Sequence, residues 1–498
     1  MLENILNYCE KNKKKGVVYL HKIILLISIL IFLVNYNTNI SRAYFAILLL
    51  FLANIIYCLQ DFNKRIILLL FHFAFFAFLL GRTTVNLIQY GQLDFPFNDS
   101  IIYHILLCLY ISLFSLYLGN FLFTYIGNRY FQNKTRKKDG IFEKHLEVIR
   151  KWSKVVFIIG FVINLFFIAE KGLYILQNSY ILYARDFNSS LPSLLRVAGN
   201  LRTMAFFIFL ATFPSKKESR WYLFLYLIEG ILSLTYGDRG NFVMNIFFLG
   251  FYFVFRQGRE TDDEIWIKKK HVVIVIILMP ILIAFLSFFV YIREGFSEGQ
   301  TSLIEQFVRF FKSIGGSVNV IGYGKYFENQ IPANTIFSFG DITQYIFHNP
   351  ISNFIFNNQD LQYYTKEYAL QGTSFMHTIS YLIDPKAYLG GHGYGSCYIA
   401  EFYNDFGYTG VIFINIFIGS CIAMFNKISK RNIIFTACCL LAIHTLFYIP
   451  RGPADYLITY PLNITSILSI SIIMLFSKYN NKINHLVFLL TRRNSKGG

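Results

Sequence analysis

The chain has 498 residues, of which 55% are hydrophobic, 19% aromatic and only 15% charged. A soluble globular chain carries about 25% charged residues, so this composition excludes an ordinary soluble protein and indicates an integral membrane protein. The formal net charge is +18, but the basic residues lie between apolar runs, which is typical of orientation in a bilayer rather than of nucleic-acid binding. We therefore predict a single all-α domain over 1–498, surrounded by membrane lipids.

Apolar runs of roughly 17–25 residues recur along the chain, each long enough to cross a hydrocarbon core of about 30 Å. Because a spanning segment must satisfy its own backbone hydrogen bonds, each run predicts a transmembrane helix. No small-residue cleavage site follows the first run, so we expect it to remain as the first helix. The twelve predicted spans are 17–36, 43–60, 66–89, 101–126, 154–170, 194–213, 221–237, 240–256, 272–291, 403–425, 432–449 and 457–477.

The distribution of basic residues predicts the orientation of these helices. With the N-terminus in the cytoplasm, the inner segments hold 32 of the 46 Lys and Arg residues, as the positive-inside rule expects. We therefore predict an even number of helices, two cytoplasmic termini and one large outer loop over 292–402, which is expected to be helical and to cap the active site. The inner segments are 1–22, 61–65, 127–154, 214–220, 256–271, 426–431 and 477–498.

The type of basic residue also differs between the two sides. The inner set has 22 Lys and 10 Arg, whereas the outer set has 5 Lys and 9 Arg. The planar fork of arginine suits bidentate recognition of phosphate, so the bias favours a phosphate-bearing ligand on the outer side. The alternative is snorkelling of arginine at helix ends. The outer arginines are Arg42, Arg82, Arg185, Arg196, Arg202, Arg239, Arg293, Arg309 and Arg451.

Polar residues inside the predicted spans are costly and therefore carry a functional hypothesis. Arg202 lies deep in the sixth span, Glu229 lies near the middle of the seventh, and Arg82 ends the third. Two interpretations stay open: these side chains contact the substrate, or they pair with one another inside the bundle. Glu229 with an arginine is the obvious candidate pair.

The run YGDRGN, 236–241, predicts a tight outer turn between two spans. Gly237 and Gly240 flank Asp238 and Arg239, and glycines allow backbone amides to approach a ligand closely. Arg239 would lie at a helix N-terminus, where the helix dipole favours anions. The turn is therefore a candidate anion site, although an ordinary tight turn with solvated charges explains the same residues.

Two further outer turns each present an arginine. IREGF places Arg293 directly after a span, and IPRGPADY places Arg451 between Pro450 and Gly452. Convergent arginines can stabilise a diphosphate leaving group without a metal ion. We see no DxD-type pair of carboxylates on the outer side, so the sequence favours a reaction that needs no metal or other cofactor.

The run GGHGYGSCYIAEFYNDFGYTG ends the outer loop with a glycine-rich segment and then a predicted helix that begins near Ser396. Glu401, Asn404, Asp405 and Tyr408 follow i, i+3, i+4, i+7 spacing, which predicts one polar stripe on that helix. The stripe would descend from the loop into the bundle.

His392 and Glu401 are rival candidates for the general base that accepts a proton from a sugar hydroxyl, and Asp405 joins them as a catalytic candidate. A solvated loop histidine, or carboxylates that only form structural hydrogen bonds, is the alternative. Tyrosines crowd the outer loop, and rings that stack and donate hydrogen bonds suit a saccharide groove. Tyr394 and Tyr408 are the candidate glycan contacts.

At these motifs the chain resembles the Wzy-type oligosaccharide repeat-unit polymerases, or O-antigen polymerases. The resemblance rests on helix count, orientation, the single large outer loop before the last three spans, and local runs over the C-terminal 60% or so of the chain. Those runs are TYGDRGNFV, YIREGF, FFKSIGGSVNVIG, QGTSF, GYGSCYIAEFYNDFGYTGVIF and RGPADY.

The resemblance implies a bacterial inner-membrane enzyme that builds lipopolysaccharide or a related surface polysaccharide on the outer face. A growing glycan would leave undecaprenyl diphosphate and pass to the non-reducing end of an incoming undecaprenyl-diphosphate-linked unit. It further implies a GT-C-like fold, no metal, and a flippase and a chain-length-regulating co-polymerase as partners. On this basis Arg239, Arg293 and Arg451 are diphosphate ligands, with Arg82, Arg202 and Arg309 as weaker candidates.

Two other functions remain open. A ligase that transfers finished glycan to another acceptor shares the same chemistry, although the Glu401–Gly410 run favours the polymerase. A flippase for lipid-linked oligosaccharides is also commonly built from twelve helices. Transporters usually show repeated halves or paired broken helices, whereas the two halves of this chain look dissimilar.

Overall fold

The computed structural model describes residues 2–130, 140–178, 180–257, 264–268, 303–347, 361–425 and 432–480, together with 270, 273, 277, 282 and 285. All regular secondary structure in these parts of the chain is helical. The fold class predicted from composition is confirmed to that extent.

The helices of the first half are α1 (Leu2–Asn35), α2 (Ile40–Gln60), α3 (Phe62–Phe75), α4 (Gly81–Tyr90), α5 (Asp99–Tyr130), α6 (Gly140–Gln177), α7 (Tyr180–Asp186), α8 (Ser193–Ala211), α9 (Lys216–Ser233) and α10 (Arg239–Gln257). Those of the second half are α11 (Leu303–Ile314), α12 (Ser317–Tyr326), α13 (Gly340–Phe347), α14 (Lys366–Gln371), α15 (Phe375–Ile383), α16 (Pro385–Leu389), α17 (Tyr398–Phe425), α18 (Ile433–Leu446), α19 (Tyr456–Leu462) and α20 (Ile464–Lys478). A π-helical turn, Phe76–Leu80, joins α3 to α4, and 3₁₀ turns form at Leu234–Tyr236, Phe337–Phe339 and Ile449–Arg451.

Seven segments of the described chain are long and apolar enough to cross a membrane, and an eighth is added if the bent pair α19 and α20 forms one span. The count of twelve is not confirmed. Two predicted spans correspond to the less apolar helices α9 and α10, another to the 14-residue α18, and 272–291 lies largely outside the described residues. The seven are Lys15–Asn35, Ile40–Gln60, Phe62–Tyr90, Asp99–Ile126, His145–Gln177, Ser193–Ala211 and Tyr398–Phe425.

Helices α5 and α17 pack against each other along their length through small residues. A Cβ atom on Gly119 would collide with the Ile416 carbonyl, and one on Gly419 would collide with the Leu116 carbonyl. Asn120 Nδ2 also donates to the Gly419 carbonyl at 3.2 Å. Close backbone approach of this kind is how helices associate in membranes, where apolar contact alone gives little preference. It fixes the position of α17, whose first turns carry the predicted catalytic residues.

Residues 303–347 and 361–397 form short helices and turns over one end of the long helices, and we call this part the cap. Gly322 of α12 packs directly against the ring of Phe97, and Phe311 of α11 packs on Gly81 at the start of α4. His377 is buried at the centre of a tyrosine cluster, and its Nδ1 lies 3.1 Å from the Tyr388 hydroxyl. The end of the helices beneath these residues is the cap end.

The predicted polar stripe on α17 is interrupted. Gly407 has φ 62° and ψ −154°, a conformation that breaks the helix inside Tyr398–Phe425 and that glycine adopts without a Cβ clash. Glu401 and Asp405 precede the break and Tyr408 follows it. The prediction that all of them share one helical face is therefore wrong at Tyr408, because i+3 and i+4 spacing defines a face only in an unbroken helix.

Candidate functional site

Two arginine-bearing turns lie side by side at the cap end. In the 236–241 turn, Gly237 has φ 82° and leads into α10, which begins at Arg239. Asp238 Oδ1 accepts from the Asn241 backbone amide at 3.0 Å and so caps the first turn of α10. A Cβ on Gly240 would lie 3.4 Å from the ring of Tyr448, which immediately precedes the Ile449–Arg451 turn. The two turns are therefore neighbours in the fold, and convergence of their arginines on one ligand stays a prediction.

The third predicted arginine turn, at Arg293, lies outside the described residues. Its place beside the other two stays a prediction.

Aromatic rings hold the Arg451 turn against the π-helical turn before α4. Tyr448 packs edge-on against Phe78 with ring centroids 6.3 Å apart, and it stacks on Tyr456 at 6.4 Å. The Arg451 guanidinium lies 6.0 Å from the centre of the Phe78 ring. Arg82 is one helical turn beyond Phe78, so it belongs to the same neighbourhood.

Arg82 is oriented by acidic and amide groups of the loop that follows α4. Its guanidinium lies 3.7 Å from Asp94, with the Arg82 side chain 34% exposed. Asn86 Nδ2 donates to the same Asp94 oxygen at 3.0 Å. Gly315 packs against the Arg82 backbone from the cap side. The ion pair between Arg82 and Asp94 is long and partly exposed, so the Arg82 guanidinium can also bind a second anion.

Asp405 and Asp455 anchor the cap to the membrane helices. Asp405 Oδ2 accepts from the Ser338 backbone amide at 2.7 Å and from the Ser338 hydroxyl at 2.6 Å. Asp455 Oδ2 accepts from the backbone amides of Asp341 and Ile342, at 2.9 and 3.1 Å. Both carboxylates thus satisfy otherwise unpaired amides near the start of α13.

Glu401 is the most buried of these carboxylates, with 1% of its surface exposed. Its Oε1 accepts from the Ser396 hydroxyl at 2.5 Å. Its Oε2 is buried and has no hydrogen-bond partner within the chain segments that the structure describes. Glu401 lies within electrostatic range of Asp341, Asp405 and Asp455. A buried carboxylate oxygen without a partner is costly unless a ligand supplies one.

The two aspartates between the cap and α19 bind protons more tightly than usual. Burial raises the pKa of Asp341 to about 6. Burial and the neighbouring Asp341 carboxylate raise the pKa of Asp455 to about 7. Burial disfavours the charged form of both carboxyl groups, and the Asp341 charge adds to the shift of the Asp455 pKa. This part of the cap end therefore changes its charge close to neutral pH.

The glycine-rich loop before α17 lies at the surface of the cap. His392 is exposed, and its backbone amide donates to the Ala387 carbonyl at 3.0 Å. The Tyr394 amide donates to the Ser380 hydroxyl at 2.9 Å, and the Tyr394 ring lies 6.2 Å from that of Tyr323. Tyr323 is in turn an electrostatic neighbour of Arg82. Tyr394 is thus connected to Arg82 through one ring.

Tyr408 contacts a different group. Its hydroxyl lies 2.9 Å from His104 Nδ1, and the His104 ring packs edge-on against Tyr403 at 4.2 Å. The break at Gly407 directs Tyr408 toward α5 rather than toward the arginine turns.

The two remaining arginines have other surroundings. Arg202 Nε donates to Glu229 at 2.9 Å, and the two side chains form an ion pair inside the bundle with only 12% and 11% of their surfaces exposed. The suspected pairing of Glu229 with an arginine is thus present. Arg309 is exposed on α11. The Arg202–Glu229 pair lies within electrostatic range of Tyr236, which begins the 236–241 turn.

Sequence reasoning missed Asp341, Asp455 and Tyr448. Asp455 lies within the RGPADY run, but Asp341 follows no motif, and its proximity depends on how the cap folds back. Across the described ranges, no group of three or more His, Cys, Asp or Glu side chains is arranged to hold a metal ion. Independence from metal stays a prediction.

Long apolar helices with polar groups gathered at one end define an integral membrane protein. Residues 18–484 match the family model described as O-antigen polysaccharide polymerase Wzy, and the chain belongs to this family. Membership supports a glycosyltransferase-type polymerase of O-antigen polysaccharide, with lipid-linked oligosaccharides as substrates and a membrane context. Neither the curated proteins nor the solved structures contain a match to the chain.

Proposed function

We propose that the protein joins oligosaccharide repeat units on the outer face of the bacterial inner membrane. The donor is a growing glycan on undecaprenyl diphosphate, and the acceptor is the non-reducing sugar of an incoming undecaprenyl-diphosphate-linked unit. The bond between the anomeric carbon and the phosphate oxygen breaks, and a new glycosidic bond forms to the acceptor hydroxyl. The hydroxyl proton passes to a base on the protein, and undecaprenyl diphosphate leaves with the bonding electrons.

The observation that carries this proposal is the buried Glu401 oxygen beside two arginine-bearing turns. Glu401 Oε2 has no partner in the described chain, and the turns at Arg239 and Arg451 meet around Tyr448 at the same end of the helices. A hydroxyl nucleophile needs a base, and a departing diphosphate needs fixed positive charge.

In this proposal Arg239 and Arg451 bind the donor diphosphate, with Arg82 and Arg293 as further ligands. Guanidinium groups form paired, charge-assisted hydrogen bonds with phosphate oxygens, which strengthen as negative charge develops. No metal ion or other cofactor takes part. Arg202 contributes less, because Glu229 already balances its charge. Arg309 serves as a more distant contact at the surface of α11.

Glu401 is the base we favour over His392. Glu401 lies in the first turns of α17, the helix that contacts the Ile449–Arg451 turn, whereas His392 is exposed on the surface loop. Asp405 and Asp455 position the cap over this site through their hydrogen bonds to Ser338 and to the start of α13. Tyr394 and Tyr408 are the further glycan contacts in this proposal.

The test uses the full chain in neutral nanodiscs with an authentic undecaprenyl-diphosphate-linked repeat unit and a chelator. A ladder of longer lipid-linked glycans is expected from the wild type, and R451A is expected to shorten or abolish it. R185Q is the matched control, since Arg185 is exposed and pairs with Asp186.

Absence of a ladder with authentic substrate would contradict the polymerase. Transfer to a non-repeat acceptor would then identify a ligase, and movement of the lipid-linked unit across vesicles would identify a flippase. A flippase and a chain-length-regulating co-polymerase are the protein partners in this proposal. Their addition is expected to change ladder length without being needed for bond formation.

A further inference from the structure

A cavity of about 360 Å³ lies beside the proposed diphosphate site, between the end of α6, α7 and the start of α8. Three aromatic rings line it, from Phe167, Tyr183 and Phe187, and two cations face it, from Lys171 and Arg196. The roles proposed for the arginine turns and for Glu401 do not involve this cavity.

Each cation has a carboxylate within electrostatic range, Asp238 for Lys171 and Glu170 for Arg196, but neither carboxylate reaches it directly. Lys171 Nζ lies over the rings of Phe167 and Tyr236, at 4.3 and 4.6 Å from their centres. Neither Lys171 nor Arg196 forms an ion pair within 4.0 Å in the described part of the chain. Arg196 Nε is buried there without a hydrogen-bond partner. A buried guanidinium nitrogen without a hydrogen-bond partner, next to a lysine without an ion pair, favours a negatively charged ligand.

The nearby acidic groups are already engaged. Glu170 accepts hydrogen bonds from Ser189 and from the backbone and hydroxyl of Ser190, and so shapes the loop that closes the cavity. Asp238, the acidic neighbour of Lys171, caps α10 through Asn241. Both carboxylates reduce the positive electrostatic potential of the cavity, but neither of them lines it.

The cavity adjoins the turn that carries Arg239. Tyr236 begins that turn, lies under Lys171 and packs near Tyr183 with ring centroids 6.4 Å apart. Gly237 packs directly on Tyr180 of α7. A glycan whose diphosphate lies at Arg239 therefore has a short path along Tyr236 into the cavity.

We propose that this cavity binds an acidic sugar of the lipid-linked glycan, one that carries a carboxylate or a phosphate ester. The inference rests on the proposed function and adds the chemical class of sugar that this enzyme selects. Aromatic rings stack on the flat CH face of a sugar, while Lys171 and Arg196 bind its negative group. The cavity would thus favour repeat units that contain an acidic residue next to the site of reaction.

The test measures binding of small probes to the full chain in phosphatidylcholine nanodiscs, without turnover. The probes are glucuronate, glucose 6-phosphate, glucose and inorganic phosphate, followed by saturation-transfer NMR and calorimetry. We expect both acidic sugars to bind about tenfold more tightly than glucose, because only they carry a charge for the two cations. We also expect them to bind about tenfold more tightly than free phosphate, because only they have a ring face that stacks on the aromatic side chains. R196Q and K171Q are expected to lose this preference, whereas R185Q retains it.

Three results would overturn the inference. One is equal affinity for glucuronate and glucose. Another is unchanged binding in both R196Q and K171Q when each variant elutes and melts as the wild type does. The last is free phosphate, or phosphatidylglycerol in the nanodisc, displacing the acidic sugars at equal affinity, which would assign the cavity to a lipid headgroup. Because no turnover is measured, these outcomes are independent of whether the R451A ladder experiment succeeds.

Discussion

Glu401 is the residue on which the proposed chemistry depends most. We expect E401Q to fold normally and to lose about 10²- to 10⁴-fold in the initial rate of ladder formation, because glutamine keeps the shape and cannot accept the proton. The Ser396 hydroxyl can still donate to the amide oxygen of the variant. The measurement is the initial rate with saturating lipid-linked unit, compared with the wild type.

Glu328 offers a matched control for Glu401, since it lies on the cap, half-exposed and paired with Lys325. E328Q is expected to retain the wild-type rate. An active E401Q enzyme would return the role of base to His392, and H392A would then be expected to abolish the ladder.

Asp455 makes stability depend on pH in the neutral range. Its pKa in the folded protein is about 7, above the usual value of 3.8, so the folded state binds the proton more tightly than the unfolded state. Stability is therefore expected to fall as pH rises from about 4 through 7 and to level off above that. The Asp341 carboxyl, with a pKa of about 6, adds to the same slope.

The D455N variant isolates this contribution. Asparagine keeps an oxygen that can accept from the Asp341 and Ile342 amides, but it does not titrate. Melting temperatures between pH 5.5 and 8 are expected to vary less for D455N than for the wild type. Identical slopes for the two proteins would show that Asp455 is ionised throughout that range.

Substitutions in the Arg202–Glu229 pair distinguish a structural role of Arg202 from a role in binding the diphosphate. R202Q alone is expected to cost about 3–5 kcal/mol, because it leaves a buried carboxylate unpaired. R202Q/E229Q removes both charges and is expected to recover most of the melting temperature together with polymerase activity. A stable double variant without activity would place Arg202 among the diphosphate ligands instead.

At the scale of helices, the contact between α5 and α17 holds the site in place. G419A puts a methyl group against the Leu116 carbonyl and is expected to cost about 1–3 kcal/mol, with a lower melting temperature and a lower ladder rate. Gly250 in α10 has open space around its Cβ direction, so G250A is the control and is expected to be neutral or slightly stabilising. Equal melting temperatures and equal ladder rates for G419A and G250A would show that the close contact between α5 and α17 is not needed for stability or activity.

The same helices show what sequence alone can predict. Apolar length and the glycine-flanked turns predict local structure, and the spans at 43–60 and 101–126 and the separate turns at Arg239 and Arg451 follow from neighbouring residues. The break at Gly407 and the proximity of Asp341 to Asp455 do not. Both depend on contacts between segments far apart in the chain, and helical periodicity carries no information about such contacts.

For the whole molecule, the remaining prediction concerns which side of the membrane the cap faces. The excess of Lys and Arg on the opposite side predicts an outer cap, and lipid-linked acceptors would have to meet it there. Lys366 is exposed on the cap, and Lys217 is exposed at the other end of the helices. Among the described cysteines, four are buried and two are partly buried, so background labelling is expected to be low after C9S removes the N-terminal thiol.

K366C is therefore expected to react with a membrane-impermeant maleimide in intact spheroplasts, and K217C only after the membrane is opened. Each variant must retain ladder formation, which shows that the labelled protein is the active form. Reversed labelling would put the cap in the cytoplasm, and labelling of both positions in intact spheroplasts would put both ends on one side. Either pattern would remove the basis for an outer-face polymerase, since Arg239, Arg451 and Glu401 lie at the cap end.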